Sequence, residues 1–430
     1  DGSISVGQYA GSTNAGTSSI NIGIMAGLKS GNDSIAIGRA SGQRKATGST
    51  GVNNISIGQN AGTTNNVSNE IAIGKDAEGG PEGVGIGKDA KTNAGVAVGA
   101  SAYATNMYNV AVGNSARAES SNSVAVGSSV GKKMGENSVA IGYQVCSSSS
   151  GTAVNNQVSV GYQVNESGGK GNSVSIGKYI QAEGQHSVTI GVGNSHLRGA
   201  GVGGIAMGYD VGTKYTGSTG ASSYNIELGY EIGGTANSDS SMIWKYNVIM
   251  GYQAGQYGTG KGGSHNVCIG YKAGSLFLNA DEETGEDAGN IITIGRESGW
   301  LRSRTYRINI GRHAGYREGK KNGMAIGHFA GQETQEEKAL AIGMGAGQTT
   351  QATQAMAIGF EAGHKSQSTR ALAIGFHSGQ TSQGVGTVAI GYQAGINKQI
   401  TEAVAIGSFS GASGQQKNSV AIGMRSGQSF

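Results

Sequence analysis

The chain has 430 residues, of which 80 are Gly and 1 is Pro, with 6% aromatic and 13% charged residues; an average domain carries about 7% Gly and about 25% charge. Such a Gly content, without an every-third-residue period or the accompanying Pro, excludes collagen, and a hydrophobic fraction of 36% is too low for one large core yet too regularly placed for disorder. A net charge of +4 is mild for this length and gives no ground for nucleic-acid binding, and no run of about 18 apolar residues is present to enter a membrane.

Read from the N-terminus, which opens at Asp1 without Met or an apolar signal segment and so suggests a processed or excised chain, one phrase recurs. A triplet Φ-x-Φ followed by Gly occurs 26 times, with Φ being Val, Ile, Leu or Met. Its period-2 alternation predicts a short strand at every copy. Residues 1–62 carry turns ending in Gly-x-x-Ala-Gly, as in Gly7-Gln8-Tyr9-Ala10-Gly11. Over 63–195 the spacing tightens and the second Gly usually disappears. Over 196–290 it widens, with added loops rich in Gly, Ser and Tyr. From 291 to 430 the phrase returns every 16 residues, from Ile292-Thr293-Ile294-Gly295 to Val420-Ala421-Ile422-Gly423.

A strand of three residues buries almost nothing alone, so these units must stack into a parallel β-solenoid in which each coil covers the next. Gly after the triplet marks a corner, and the Ala or Ser three residues later is expected to face the same thin core. The Φ side chains are expected to form that core and the middle residue to point outward. An unbroken outward file of Ala325, Ala341, Ala357, Ala373, Ala389, Ala405 and Ala421 then predicts a close chain-to-chain contact in a parallel homo-oligomer. On this reading Ala373→Lys breaks association and Ile374→Ala removes a fully buried side chain.

Catalytic, cofactor and metal chemistry find no support. Gly255 to Gly262 nearly spells a phosphate-binding loop but has Gly262 where Ser or Thr is required, and Gly199 to Gly204 meets a dinucleotide-loop spacing without a βαβ unit. Cys146 and Cys268 have no metal or redox spacing, and Cys268, in the triplet Val267-Cys268-Ile269, reads as a buried thiol. The seven His are scattered, with His313, His328 and His377 close behind corner glycines. The acidic run Asp281 to Asp287 lacks the alternation of a calcium loop and reads as a solvated loop.

Two surfaces are candidates for recognition. Long loops at 212–225, 234–247, 256–266 and 275–290 carry Tyr215, Tyr224, Trp244, Tyr246, Tyr257 and Phe277, aromatic rings that suit sugar faces and protein pockets or pack on their own coils. A basic band of Arg296, Arg302, Arg304, Arg307, Arg312, Arg317, Lys320 and Lys321, opposed within 296–321 only by Glu297 and Glu318, suits a polyanion; the acidic run one coil earlier is its alternative partner.

Asn137-Ser138-Val139-Ala140-Ile141-Gly142, Ser123-Val124-Ala125-Val126-Gly127 and Asn418-Ser419-Val420-Ala421-Ile422-Gly423 resemble the head repeat of the YadA-type trimeric autotransporter adhesins. Longer phrases such as Ile390-Gly391-Tyr392-Gln393-Ala394-Gly395 are also similar to repeats in tail and surface fibres of phages and large viruses. The resemblance implies a left-handed parallel β-roll, a homotrimer, and an extracellular chain on a cell or virion surface that attaches to a glycan or protein receptor. No heptad stalk, neck or membrane barrel accompanies the repeats in this sequence. A purely structural spacer is the rival reading; an ice-binding solenoid would need a flat Thr array that the mixed outward positions do not supply.

Overall fold

A computed structural model describes residues 2–13, 15–43, 51–63, 67–132, 134–148, 153–166, 170–182, 184–198, 202–211, 222–232, 244–255, 264–274, 289–301 and 304–428. The protein is an all-β parallel β-solenoid, with no helix among the described residues. Each of the 26 triplets is a strand of one sheet type, and the chain divides into two compact units, 1–196 and 197–430. Among the described residues no helix is long and apolar enough to cross a membrane.

In both units the strands pair in parallel with triplet on triplet. Val110, Ala111 and Val112 lie beside Val124, Ala125 and Val126 in the first unit. Val388, Ala389 and Ile390 lie beside Val404, Ala405 and Ile406 in the second. Backbone donors run both ways along the stack: Val388 N–H donates to Ala403 O at 2.9 Å and Gly391 N–H to Ile374 O at 2.9 Å. A short coil therefore satisfies its backbone only through its neighbours.

A second set of strands closes the far side of the coil. In the first unit this set is Lys91–Thr92, Tyr103–Ala104 and Arg117–Ala118; in the second it is Thr349–Gln351, Lys365–Gln367, Thr381–Gln383, Asn397–Gln399 and Ser413–Gln415. The Ala three residues after the corner Gly is buried as expected (Ala346, Ala362, Ala394), but it lies in the turn, and the second strand starts three residues later.

Corner geometry explains the glycines. Gly391 has φ +129°, and a Cβ there would sit 2.7 Å from the carbonyl oxygen of Gly407 in the next coil. Gly395 has φ +53°, and a Cβ would lie 2.5 Å from the Gln399 side chain inside the coil. Each position thus combines a backbone conformation that disfavours side chains with an absence of room for one.

The direction of the triplet is opposite to the expectation. Ala325, Ala341, Ala357, Ala373, Ala389 and Ala405 are 0% exposed and Ala421 5% within a single chain; they point into the coil and are not an outward file between chains. The flanking Φ residues are half-buried or exposed, on the outer face of the sheet. The reason is width. A coil that turns back within 16 residues leaves space for Ala against Ala, as in the cluster of Ala314, Ala325, Ala330, Ala341, Ala346, Ala357, Ala362 and Ala373, and not for opposed Ile and Leu. Larger inward residues are matched by small ones across the gap: Ile249 faces the turn residue Ala254, while Ala206 precedes the larger turn residue Val211.

Both cysteines are free and buried, Cys268 as its place in the triplet suggested. Burial pushes the Cys268 thiol up to about 12 and the Cys146 thiol up to about 11, so neither is a nucleophile at neutral pH.

Ala373→Leu is therefore expected to lower stability by about 1–3 kcal/mol through overpacking of the coil interior, with Ala373→Lys worse still. Ile374→Ala, on the outer face, should cost the isolated chain less than either. Thermal unfolding followed by circular dichroism checks the order; an Ala373→Leu chain as stable as the parent would place the residue outside the core.

Candidate functional site

Stacking in register turns each position of the coil into a row, and three rows decide what the surface can do. In each unit the outer sheet face carries two Φ rows, starting at Ile4 and Val6 in the first and ending at Val420 and Ile422 in the second. Many of these side chains remain accessible, including Ile141, Ile176, Met207, Ile226 and Met356. An apolar band of this kind on a single chain marks an interaction surface.

The row just after the corner Gly is aromatic over long stretches. Tyr209, Tyr230, Tyr252 and Tyr271 stack with centroids 4.8, 5.0 and 5.3 Å apart. Phe360, Phe376 and Tyr392 stack at 5.1 and 5.3 Å. The faces of the inner rings are occupied by one another, so the row offers ring edges to solvent. A third row precedes the triplet, where Tyr224, Tyr246 and His265 stack at 5.2 and 5.0 Å. Ile226, Leu228 and Tyr230 pair in register with Val248, Met250 and Tyr252, while Tyr224 and Tyr246 stand at positive-φ bends just before these strands. The aromatic rows thus lie immediately before and after the triplets along the chain.

Of the six loop aromatics singled out in the sequence, Tyr224 and Tyr246 are exposed members of this ladder. Trp244 lies in the short strand Trp244–Lys245. Tyr215, Tyr257 and Phe277 lie outside the described residues. The row after the corner was not singled out in the sequence, although its period is legible there: Gly208-Tyr209, Gly229-Tyr230, Gly251-Tyr252 and Gly270-Tyr271.

The basic band separates into different environments. Arg307 is not a surface residue. It is 0% exposed, with Nη1 donating to Lys320 O at 2.9 Å and Nη2 to Asn309 Oδ1 at 3.1 Å and to Gln335 Oε1. Burial pulls its guanidinium down to about 10. It occupies the inward position before its triplet, which Ala339, Ala355 and Ala371 fill in later coils. Sixteen residues before Gln335, the glutamine position of its own coil is Gly319, where a Cβ would lie 2.3 Å from Arg307 Cζ. The guanidinium thus stands where later coils place a glutamine amide.

Those amides form a buried ladder. Gln335 Nε2 donates to Gln351 Oε1 at 3.0 Å, Gln351 to Gln367 at 3.0 Å, Gln367 to Gln383 at 3.1 Å, Gln383 to Gln399 at 3.1 Å and Gln399 to Gln415 at 2.8 Å. All point the same way, so the carbonyl end of the column faces Arg307. A cation there completes the first acceptor.

Arg296, Arg312 and Arg317 are exposed, Arg304, Lys320 and Lys321 are half-buried, and Arg302 lies outside the described residues, as does the acidic run 281–287. Arg296 and Arg312 follow the corner Gly of adjacent coils, in the row of Tyr271, and Arg296 Nε lies 3.7 Å from Glu297 Oε1. Lys272 Nζ and Arg296 Cζ lie 5.4 and 5.5 Å from the Tyr271 centroid, and Arg317 Cζ 5.5 Å from that of Tyr316. Tyr316 stacks on Trp300 at 5.1 Å. Its phenol is pushed up by burial and by Glu297, and pulled down by Arg317 and Lys272. Glu297 Oε2 is held by His313 Nε2 at 2.8 Å. Burial, and then Arg312 and His313, hold the neighbouring His328 below its ordinary range.

No group of three or more His, Cys, Asp or Glu suited to a metal is found among the described residues. No family model and no curated protein matches the chain.

Arg307→Ala should leave Gln335 Oε1 without its donor and open a cavity, a loss of about 2–4 kcal/mol in chemical unfolding. Adding Gly319→Gln to Arg307→Ala rebuilds the arrangement of later coils and should recover most of that loss. Gly319→Gln alone should destabilise, because the guanidinium already fills the space. Additive effects of the two substitutions would contradict the exchange.

Proposed function

We propose that the chain is a non-enzymatic extracellular attachment protein: a left-handed β-roll that assembles as a parallel homotrimer on a cell or virion surface and binds a glycan or protein receptor. The observation that carries this reading is the apolar outer face. Narrow coils turn the middle residue of the triplet inward, most often Ala, and leave the flanking Ile, Val, Leu and Met on the outer face, and an apolar band of this kind is covered economically by copies of itself placed side by side in register. Three bands meeting on a common axis give each chain a buried face, while the corners and the second sheet stay accessible. Polar second-sheet residues such as Lys365, Thr381 and Asn397 suit that outer role.

The likeness of the Ser-Val-Ala-Ile-Gly phrases to adhesin heads supports the same assembly. The seven Ala residues first assigned to the chain contact belong to the coil core, so the proposed contact passes to their neighbours Met324, Ile326, Leu340, Ile342, Met356, Ile358, Leu372, Ile374, Val388 and Ile390. A spacer fibre without a receptor site of its own is the second reading, favoured by the regularity of 291–430.

Ile374→Lys should leave the far-UV circular dichroism of the coils unchanged and weaken association, read as a fall in mass by light scattering at equal concentration. A variant that keeps the parent's mass would overturn the placement of the interface. Immobilised chain should retain cells or matrix, and deleting residues 212–221 and 233–243 should reduce retention. A correctly assembled chain that retains nothing would favour the spacer.

A further inference from the structure

In a parallel in-register stack, a residue meets its own equivalent in the next coil at one strand spacing, about 4.8 Å. For tyrosine this sets two phenols face to face. Five such Tyr–Tyr stacks are found among the described residues: Tyr143 on Tyr162 in the first unit, and Tyr209 on Tyr230, Tyr230 on Tyr252, Tyr252 on Tyr271 and Tyr224 on Tyr246 in the second. The longest run is the corner row Tyr209, Tyr230, Tyr252 and Tyr271, whose successive ring planes differ by only 10°, 5° and 6°. Strand register fixes it, because Tyr209 pairs with Tyr230 and Tyr230 with Tyr252.

These rings are also reachable from solvent. Tyr230, Tyr252 and Tyr271 are 39%, 41% and 41% exposed, so their edges meet solvent while their faces meet one another. Burial, and then Glu231, hold the Tyr230 phenol above its ordinary range. It therefore stays protonated at neutral pH, with a carboxylate beside it to take the proton when an electron leaves. Glu231 is itself placed by Gln253, whose Nε2 donates to Glu231 Oε2 at 2.7 Å. Rotation about χ2 is broad for a phenol, so stacked rings can turn edge to edge. The centres of two directly bonded rings lie only slightly closer than those of these stacks, and the approach required is small.

We propose that this corner row is a site of oxidative tyrosine coupling, in which adjacent phenols are joined as dityrosine along the stack. The oxidant is hydrogen peroxide acting through a peroxidase. It takes one electron and one proton from each of two phenols, and the two phenoxyl radicals join Cε to Cε. The two ring hydrogens at the new bond then move to the phenol oxygens as the rings regain aromaticity. Two tyrosines and one hydrogen peroxide thus give one dityrosine and two waters. A Tyr209–Tyr230 or Tyr230–Tyr252 bond closes residues 210–229 or 231–251 into a covalent loop, a constraint that acts chiefly on the unfolded chain. The modification staples coil to coil where the repeat spacing is wide, and it does not depend on the attachment reading.

The test oxidises the whole chain at low concentration with a peroxidase and hydrogen peroxide, then maps joined peptides by mass spectrometry. Adjacent members of the row should be recovered as pairs two hydrogen masses lighter than their sum, within one chain. Their yield should exceed at least about tenfold that of any pair containing Tyr108, which is more exposed at 78% but stands outside these stacks. Tyr252→Phe keeps a flat ring in the row and should remove the bonds to Tyr230 and Tyr271 while leaving Tyr209–Tyr230. Oxidation in strong urea, where register is lost, should abolish the preference for adjacent members, and the chain oxidised while folded should melt at a higher temperature than the parent. The site is overturned if the folded chain forms no dityrosine under conditions that couple free tyrosine, if Tyr108 pairs are as abundant as row pairs, if the bonds lie mainly between chains on dilution, or if urea leaves the pattern unchanged. An unchanged melting temperature in a chain carrying the row bonds would overturn the staple.

Discussion

Coil width governs this protein. Corners made by Gly at φ values near +130° keep the coil so narrow that its interior is filled mostly by Ala, Ser, Cys or one flat amide, with a single larger side chain such as Ile180, Ile232 or Ile249 where a coil admits one. The two flanking apolar side chains of a triplet then have no inward place, although burying such groups is the main driving force for most folds. The chain resolves this in part by stacking: each outward Ile or Val is partly covered by its equivalents above and below, and the remaining area faces out as a band.

Register has a second consequence, because every side chain meets its own equivalent. For amides this is favourable. Buried Asn225, Asn247 and Asn266 each accept from the backbone of the next coil, Asn247 N–H, Asn266 N–H and Ile291 N–H at 3.0, 2.9 and 2.9 Å. On the outer corner Asn122, Asn137 and Asn156 donate to Asn137, Asn156 and Asn172 at 3.0, 3.3 and 3.0 Å, all four in the left-handed backbone region that Asn tolerates better than most residues. Aromatic rings gain by offset stacking at the same spacing. For charges the arrangement is unfavourable, and carboxylates stand beside the cations that follow the corners, Asp76 beside Lys75, Asp89 beside Lys88 and Glu297 beside Arg296.

Much of this was legible in the sequence. The triplets, their Gly corners, the parallel stacking and the buried Cys268 follow from period and residue type. Facing did not, because alternation says that Val388 and Ile390 share a face opposite to Ala389 but not which face is inside; the usual rule that large apolar residues go inward gave the wrong answer in a coil too narrow for them. Arg307 was equally illegible as a core residue. Counted with Arg304 and Arg312 it looks like part of a surface band, and only its partnership with Gly319, twelve residues on, reveals the exchange. Lys272 and the tyrosines after the corners escape a sequence reading for the opposite reason: they fall on the period and so read as part of the scaffold.

Coil length and interior filling vary together, which ties these observations into one rule. Around Lys91–Thr92, Tyr103–Ala104 and Arg117–Ala118 the coils are short, and the inward residue of the second strand is Thr92, Ala104 or Ala118. Where the phrase returns every 16 residues, the same role passes to Gln351, Gln367, Gln383 and Gln399. A wider coil leaves a gap that Ala cannot fill. A branched apolar residue would crowd the Gly behind it, since even a Cβ on Gly363 or Gly379 would lie 2.9 or 2.3 Å from the glutamine amide. A planar amide fits, and burial without a partner, which would be costly, is avoided because Nε2 donates to a backbone carbonyl, as Gln351 does to Leu340 O at 2.7 Å and Gln367 to Met356 O at 2.7 Å, and also to the next glutamine along the column. The column, closed at its carbonyl end by Arg307, is thus a polar core in which the backbone and the neighbouring coil each supply partners.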